Sequence, residues 1–315
     1  MTSIIEEKDL TIQDHPISDY IRTDRLPWIF CQGCLIGSEI QLLARAMKNL
    51  VDKGEVERDN ILMASGIGCS GRGSGYFQTD SFHTTHGRSV PFAVGAKMAN
   101  PKMKVIVFAG DGDLFAIGGN HIIHAARRNI DITVICINNS TYGMTGGQGG
   151  PTTPIGVSTN STPWGNFAEI PFNLVYMAAA AGATYVARWT ALHTKEAIES
   201  IEKAIMHPGF SFIEFITPCP TYFGKFTDKR TGLAMMRQLQ KVAIVRNGSN
   251  PFEAEMDYNG EIICGEFATK ERPEYIEQYE KLREKALGTK AKYEKKGKEV
   301  VYGSVKGTCE EVTGD

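Results

Sequence analysis

Apolar residues fall in short unbroken blocks along much of the chain, and each block ends in glycine or small polar residues. Residues 105–109 (Val-Ile-Val-Phe-Ala) are one such block, closed by Gly110-Asp111-Gly112-Asp113. A run this short and rich in β-branched residues predicts a strand of a parallel sheet, buried on both faces. Residues 61–64, 132–137, 183–187 and 210–217 give further strands of the same kind. Between them the spacing changes. Ile36, Ile40, Leu43, Met47 and Leu50 recur at three- and four-residue steps, with Gly54 as a stop, which predicts a helix. Residues 91–98, 118–128, 172–181 and 195–206 predict four more, the last with Ile198, Ile201 and Ile205 on one face. Strand and helix alternate, so the expected fold class is α/β: a doubly wound, mostly parallel sheet with a C-terminal helical extension. The weakly patterned residues 1–24 read as an N-terminal arm, 25–250 as the α/β domain, and 251–315 as an extension and tail. In that extension 274–287 reads as a charged helix and 288–315 as a solvated tail.

Totals change this picture little. The chain has 315 residues, 42% apolar and 22% charged, enough for a sizeable core. Its net charge of −2 gives no reason to expect nucleic acid or an acidic membrane surface as partner. The longest apolar stretch, near 175–187, contains Gly182 and is too short to span a bilayer. The first residues lack the basic and apolar regions of a signal peptide, so a cytoplasmic location is expected. Seven cysteines in such a chain point to ligands or buried thiols rather than disulfides.

Candidate chemistry gathers at strand ends. The turn at 110–113 closes its strand at the carboxyl end, where open α/β sheets bind ligands. Gly110 and Gly112 let backbone approach a phosphate, and Asp111 offers a hard oxygen to a divalent cation. The strand 132–137 ends in Asn138-Asn139, and 28 residues separate Asp111 from Asn139. That is room for one βαβ unit, which brings both side chains to one sheet edge. Residues 138–150 are too glycine-rich for a helix and predict a long functional loop.

Four cysteines belong to the same picture. Cys31 and Cys34 form a C-x2-C pair just before the first helix, whose N-terminus favours thiolates. Cys69 sits in the glycine-rich loop 66–73, and Cys219 in Pro218-Cys219-Pro220, each after a predicted strand. Four thiolates on one edge suit a [4Fe–4S] cluster or tetrahedral zinc, and the spacings do not separate iron from zinc. Cys136 lies within an apolar strand and reads as core; Cys264 and Cys309 carry no motif. His121 and His124, on the predicted crossover helix, read as surface or core histidines, and His83 as part of a polar loop with His86.

Gly-Asp-Gly followed after roughly 25–30 residues by Asn-Asn resembles the thiamine-diphosphate motif. In that family the Asp, the second Asn and a backbone carbonyl two residues later hold Mg²⁺, which maps to Asp111, Asn139 and Thr141. Joined with Cys31-Gln32-Gly33-Cys34, Gly68-Cys69-Ser70 and Pro218-Cys219-Pro220-Thr221, the motif resembles the β subunit of 2-oxoacid:ferredoxin oxidoreductases over roughly residues 25–285. The resemblance implies thiamine diphosphate, Mg²⁺, a [4Fe–4S] cluster on Cys31, Cys34, Cys69 and Cys219, and coenzyme A as cosubstrate. It places Gly110, Gly112 and Asp113 at the diphosphate and Tyr142, Gly143 and Met144 along the same loop. It raises His86, Gly87 and Arg88 as cofactor contacts, with His86 and Thr145 as candidates for the chemistry and Arg72 and Thr145 for the substrate. No pyrimidine-binding domain is visible, so an α subunit is expected to supply the activating Glu, in an (αβ)2 or larger assembly served by ferredoxin. The loops 66–72 and 142–148 look most like the 2-oxoglutarate branch; pyruvate enzymes usually carry Asn where Met144 stands. Phe223-Gly224-Lys225-Phe226-Thr227 departs from the family's basic run after the fourth cysteine, leaving Lys225 and Arg230 as weaker basic candidates. Pyruvate or another 2-oxoacid, a cluster-free thiamine decarboxylase, and a zinc-bearing module are the alternatives.

Overall fold

The computed structural model describes residues 15–166 and 169–287. Ten strands occur there: β1 (Ile61–Ser65), β2 (Asp80–His83), β3 (Lys104–Gly110), β4 (Thr133–Asn138), β5 (Thr141–Tyr142), β6 (Gln148–Gly149), β7 (Tyr185–Thr190), β8 (Ser211–Ile216), β9 (Ala243–Val245) and β10 (Ile262–Phe267). Eight form one sheet in the order β2-β1-β3-β4-β8-β7-β10-β9. The six strands from β2 to β7 in that order run parallel; β10 pairs antiparallel with β7, and β9 parallel with β10. β5 and β6 make a separate antiparallel hairpin.

Apolar alternation in the central strands explains why helices cover both faces. Ile106 and Phe108 of β3, Ile135 and Ile137 of β4 and Ile213 and Phe215 of β8 pack with α1 (Ile36–Asp52), through Ile40, Leu43 and Met47. Val105, Val107 and Ala109, with Val134, Cys136 and Phe212, pack instead with α2 (Ser89–Ala99), α3 (Gly119–Arg128) and α4 (Leu174–Ala181). α5 (Thr194–Met206) and α6 (Gly232–Val242) join the first face. This is the doubly wound α/β sheet expected, with Cys136 in the core as read from its strand.

Three features differ from expectation. The polar stretch before His86 contains the edge strand β2, exposed throughout, which no apolar run announces. Residues beyond 250 do not stand apart: β10 is nearly all buried and extends the sheet past the boundary placed at 250. Residues 15–24 are not a detached arm, because Ile17, Tyr20 and Ile21 are buried and Arg22 N donates to Tyr76 O at 2.8 Å. The charged helix is present as α7 (Tyr275–Leu287), and a second compact unit begins at Ile276. Residues 1–14, the tail read over 288–315 and Cys309 lie outside the described residues. Among those described, no helix is long and apolar enough to cross a membrane.

Candidate active site at the carboxyl edge of the sheet

Four neighbouring parallel strands, β1, β3, β4 and β8, must end on one edge. They deliver residues 66–69, 110–113, 138–141 and 217–219 there. A cleft of about 150 Å³ opens between these loops and the β5–β6 hairpin. Asp111, Asn139 and Thr141 line it, together with Cys69, Gly110 and Gly112. Tyr142, Gly143, Met144 and Thr145 border it from the hairpin. After Gly110 the chain enters one turn and a half of π-helix over Gly112–Ile117 before α3, an irregularity common at functional sites.

Asp111 is 3% exposed, and burial pushes its carboxyl up to about 7, partly opposed by a hydrogen bond from Thr152. A cation beside it would offset that desolvation, so the donor set suits one. Asn139 is buried, and its Oδ1 accepts from Thr141 N at 3.4 Å. Between them Ser140 is left-handed at φ 58°, a sharp turn held by Thr153 Oγ1 donating to Ser140 O at 2.8 Å. Thr152 Oγ1 lies 2.5 Å from Asp111 Oδ2 and 2.8 Å from Asn138 Oδ1. Asn138 Nδ2 donates to Glu214 Oε1 at 2.7 Å, and Arg188 Nε donates to Glu214 Oε2 at 2.7 Å. Sequence reasoning missed Thr152, Asn138, Glu214 and Arg188. A signal existed: one acid and one base, each inside an otherwise apolar strand, are costly there unless paired.

Asp113 borders the cleft, but its carboxylate serves the protein rather than facing a diphosphate. Its Oδ1 accepts from Ile67 N at 3.0 Å and Gly87 N at 2.8 Å, and stands 2.7 Å from His86 Nδ1. It joins the ends of three loops, and leaves His86 at the cleft wall with its ring 6.4 Å from that of Tyr142. Arg88 turns away: its guanidinium donates to Gly87 O and Ile117 O. Arg72 is exposed in a different hollow, beside Arg22, Arg25 and His83. Thr145 sits at the hairpin tip, its hydroxyl donating to Gln148 Oε1 at 2.7 Å. Lys225 leans over the Phe226 ring, 5.2 Å from its centre. Of the candidates, the structure thus brings Gly110, Asp111, Gly112, Asp113, Asn139, Thr141, Tyr142, Gly143, Met144, Thr145, His86 and Cys69 to the cleft, and leaves Gly87, Arg88, Arg72, Cys31, Cys34 and Cys219 outside its lining.

The described cysteines are all free. Cys31 is exposed, Cys34 and Cys69 half-buried and Cys219 buried. The helix terminus does not make Cys34 a ready thiolate. Burial pushes it up to about 12, outweighing the hydrogen bond from the backbone of Ile36. Cys69 rises to about 11 for the same reason, and Cys219 rises too. The thiols also feel one another: Cys69 and Cys219 raise Cys34, Cys219 and Cys31 raise Cys69, and Cys31 raises Cys219. Yet among the described residues no three His, Cys, Asp or Glu side chains converge on a point that could hold one metal ion. Four neighbouring thiols are the donor set a cubane takes, one thiolate to each iron corner.

Fold and edge site together define a thiamine-diphosphate-binding α/β domain. Residues 66–215 match the family described as thiamine pyrophosphate enzyme, C-terminal TPP binding domain. The chain is 49% identical over 271 residues to 2-oxoglutarate synthase subunit KorB of Methanocaldococcus jannaschii, covering 86% of this chain and 98% of that protein. It is 48% identical over 278 residues to the KorB subunit of Methanothermobacter marburgensis, covering 88% and 95%. A solved structure of 2-oxoglutarate:ferredoxin oxidoreductase from Magnetococcus marinus, with 2-oxoglutarate, coenzyme A and succinyl-CoA bound, matches with a TM-score of 0.75 at 31% identity, covering 87% of this chain and 91% of that one. The chain belongs to the KorB family of 2-oxoglutarate synthase subunits, within the 2-oxoacid:ferredoxin oxidoreductases.

Proposed function

We propose that this chain is the cofactor-bearing β subunit of an enzyme that converts 2-oxoglutarate and coenzyme A to succinyl-CoA and carbon dioxide, passing electrons to ferredoxin, or runs the reverse. One observation carries the reading: Cys69 lines the same cleft as Asp111, Asn139 and Thr141. A redox centre held there would border the place where the oxoacid reacts.

Thiamine diphosphate, when bound, supplies the carbanion-stabilising chemistry. This chain's residues hold and enclose it. Asp111, Asn139 and the Thr141 carbonyl are the oxygen donors for Mg²⁺ at the diphosphate. Gly112 leaves room for the Tyr142 ring: a Cβ there would stand 2.2 Å from Tyr142 Cε1. His86, held by Asp113, stands at the cleft wall with its ring nearly perpendicular to that of Tyr142. Cys31, Cys34, Cys69 and Cys219 are the thiolate donors for a [4Fe–4S] cluster. Iron binding must overcome the burial that keeps Cys34 and Cys69 protonated, as metals do when they deprotonate a coordinating thiol. An α subunit supplies the carboxylate that activates the aminopyrimidine, in an (αβ)2 or larger assembly in the cytoplasm.

Co-purification of the assembly without oxygen, then iron and zinc analysis and CoA-dependent dye reduction with a panel of 2-oxoacids, tests this. The expected result is about four irons per β chain, no zinc, and 2-oxoglutarate as the preferred substrate. An active, colourless, iron-free preparation would favour a cluster-free thiamine decarboxylase, and preference for pyruvate would move the chain to another branch.

A further inference from the structure

We infer that the buried ion pair of Arg188 and Glu214 acts, through Asn138 and Thr152, to aim the Asp111 carboxylate and the Asn139 turn at the divalent cation. These four are positioning residues; none of them borders the cofactor cleft. The inference rests on the reading that Asp111 and Asn139 hold Mg²⁺.

Arg188 and Glu214 are register partners on β7 and β8, with fully buried side chains. A buried ion pair is weak support for stability, because desolvation can exceed the attraction. The Arg188 guanidinium is also tied elsewhere. Its Nη2 donates to Asn173 Oδ1 at 2.7 Å, and Nη1 to the carbonyls of Ala254, Glu255 and Ile263. It cannot swing, and neither can the carboxylate it grips.

Polarity then propagates one way. Arginine only donates and an ionised carboxylate only accepts. Glu214 Oε1 therefore faces the amide nitrogen of Asn138, and the Asn138 carbonyl must point the other way, at Thr152. That carbonyl also accepts from Ser140 N at 3.2 Å, inside the turn that carries Asn139. Thr152 is 1% exposed and its hydroxyl lies between Asn138 Oδ1 and Asp111 Oδ2. The single hydroxyl proton is shared between these two acceptors in a three-centre bond, which ties Asp111 Oδ2 to the Asn138 carbonyl. One carboxylate oxygen is thereby held, and the other is left for the metal. Thr152 comes from the segment after the β5–β6 hairpin, so the hairpin that borders the cofactor is tied to the same anchor.

The test uses the intact complex with its α subunit, stripped of Mg²⁺ and thiamine diphosphate. Thr152→Val keeps the shape of the side chain and removes the hydroxyl. Mg²⁺ is titrated calorimetrically at saturating thiamine diphosphate. The expected result is an affinity loss of about 10–100-fold, the range for removing an outer partner of a metal ligand. The unfolding midpoint of the stripped complex is expected to stay unchanged, and Thr152→Ser to bind as the parent does. Parent-like Mg²⁺ affinity in Thr152→Val, or a loss that appears only with a matching drop in the stripped midpoint, would overturn the positioning role. Asp111→Asn serves as the control: if it too leaves Mg²⁺ affinity intact, the metal assignment fails, not the relay alone.

Discussion

Gly112 has no tolerance for a side chain, because Tyr142 occupies the space. Gly112→Ala must displace that ring from the cleft wall, at an overpacking cost of about 1–3 kcal/mol. The expected outcome is weaker thiamine diphosphate binding with the sheet intact, read by cofactor titration and circular dichroism. Glu39 on α1 poses a different problem. It is 1% exposed; Oε1 accepts from Thr217 Oγ1 at 2.6 Å, while Oε2 has no hydrogen-bond partner among the described residues. Burial pushes its carboxyl from 4.5 up to about 8. The folded chain therefore keeps a proton that the unfolded chain releases near 4.5. Stability falls as pH rises from about 4.5 to about 8, and this dependence is flat above about 8. Glu39→Gln removes that decline. Unfolding midpoints at pH 5 and pH 8 should differ less in the variant than in the parent; an equal difference would contradict a protonated Glu39.

At the scale of elements, the Cys31–Cys34 loop rests on the start of α6. Gly33 is left-handed at φ 78°, and a Cβ there would stand 2.8 Å from Gly232 Cα. Gly33→Ala is strained in conformation and in space at once, so it should push the loop off α6. The expected outcome is iron loss from the anaerobic complex, with Mg²⁺ and thiamine diphosphate binding retained; unchanged iron content would contradict it. β1, β3, β4 and β8 were readable because burial on both faces makes them uniformly apolar, and their ends carry the site. β2 and β10 were not. An exposed edge strand has no hydrophobic run, and β10 is short and interrupted by Gly265, in a left-handed conformation at φ 131°. The β5–β6 hairpin hides in glycines because two-residue strands carry no period. The ligand motif was legible for the same reason as the strands: Asp111 and Asn139 end neighbouring parallel strands, so sequence spacing fixes their edge. Thr152 was not, because it reaches Asp111 from a loop whose path no periodicity sets.

For the whole molecule, the proposed function puts a metal–diphosphate site and a thiolate-held cluster at one edge of one sheet, and the pyrimidine-activating carboxylate on another chain. The β chain alone is expected to bind Mg²⁺ and to turn over at background rate, with activity restored by adding the α subunit. Turnover by the chain alone at the rate of the complex would remove the need for a partner. The most direct single measurement is a diffraction experiment on the anaerobically isolated complex, with anomalous data collected at the iron edge. The expected map shows one iron–sulfur cubane on Cys31, Cys34, Cys69 and Cys219, bordering the cleft of Asp111 and Asn139. A map with zinc, or with no metal between those thiols, would contradict the account.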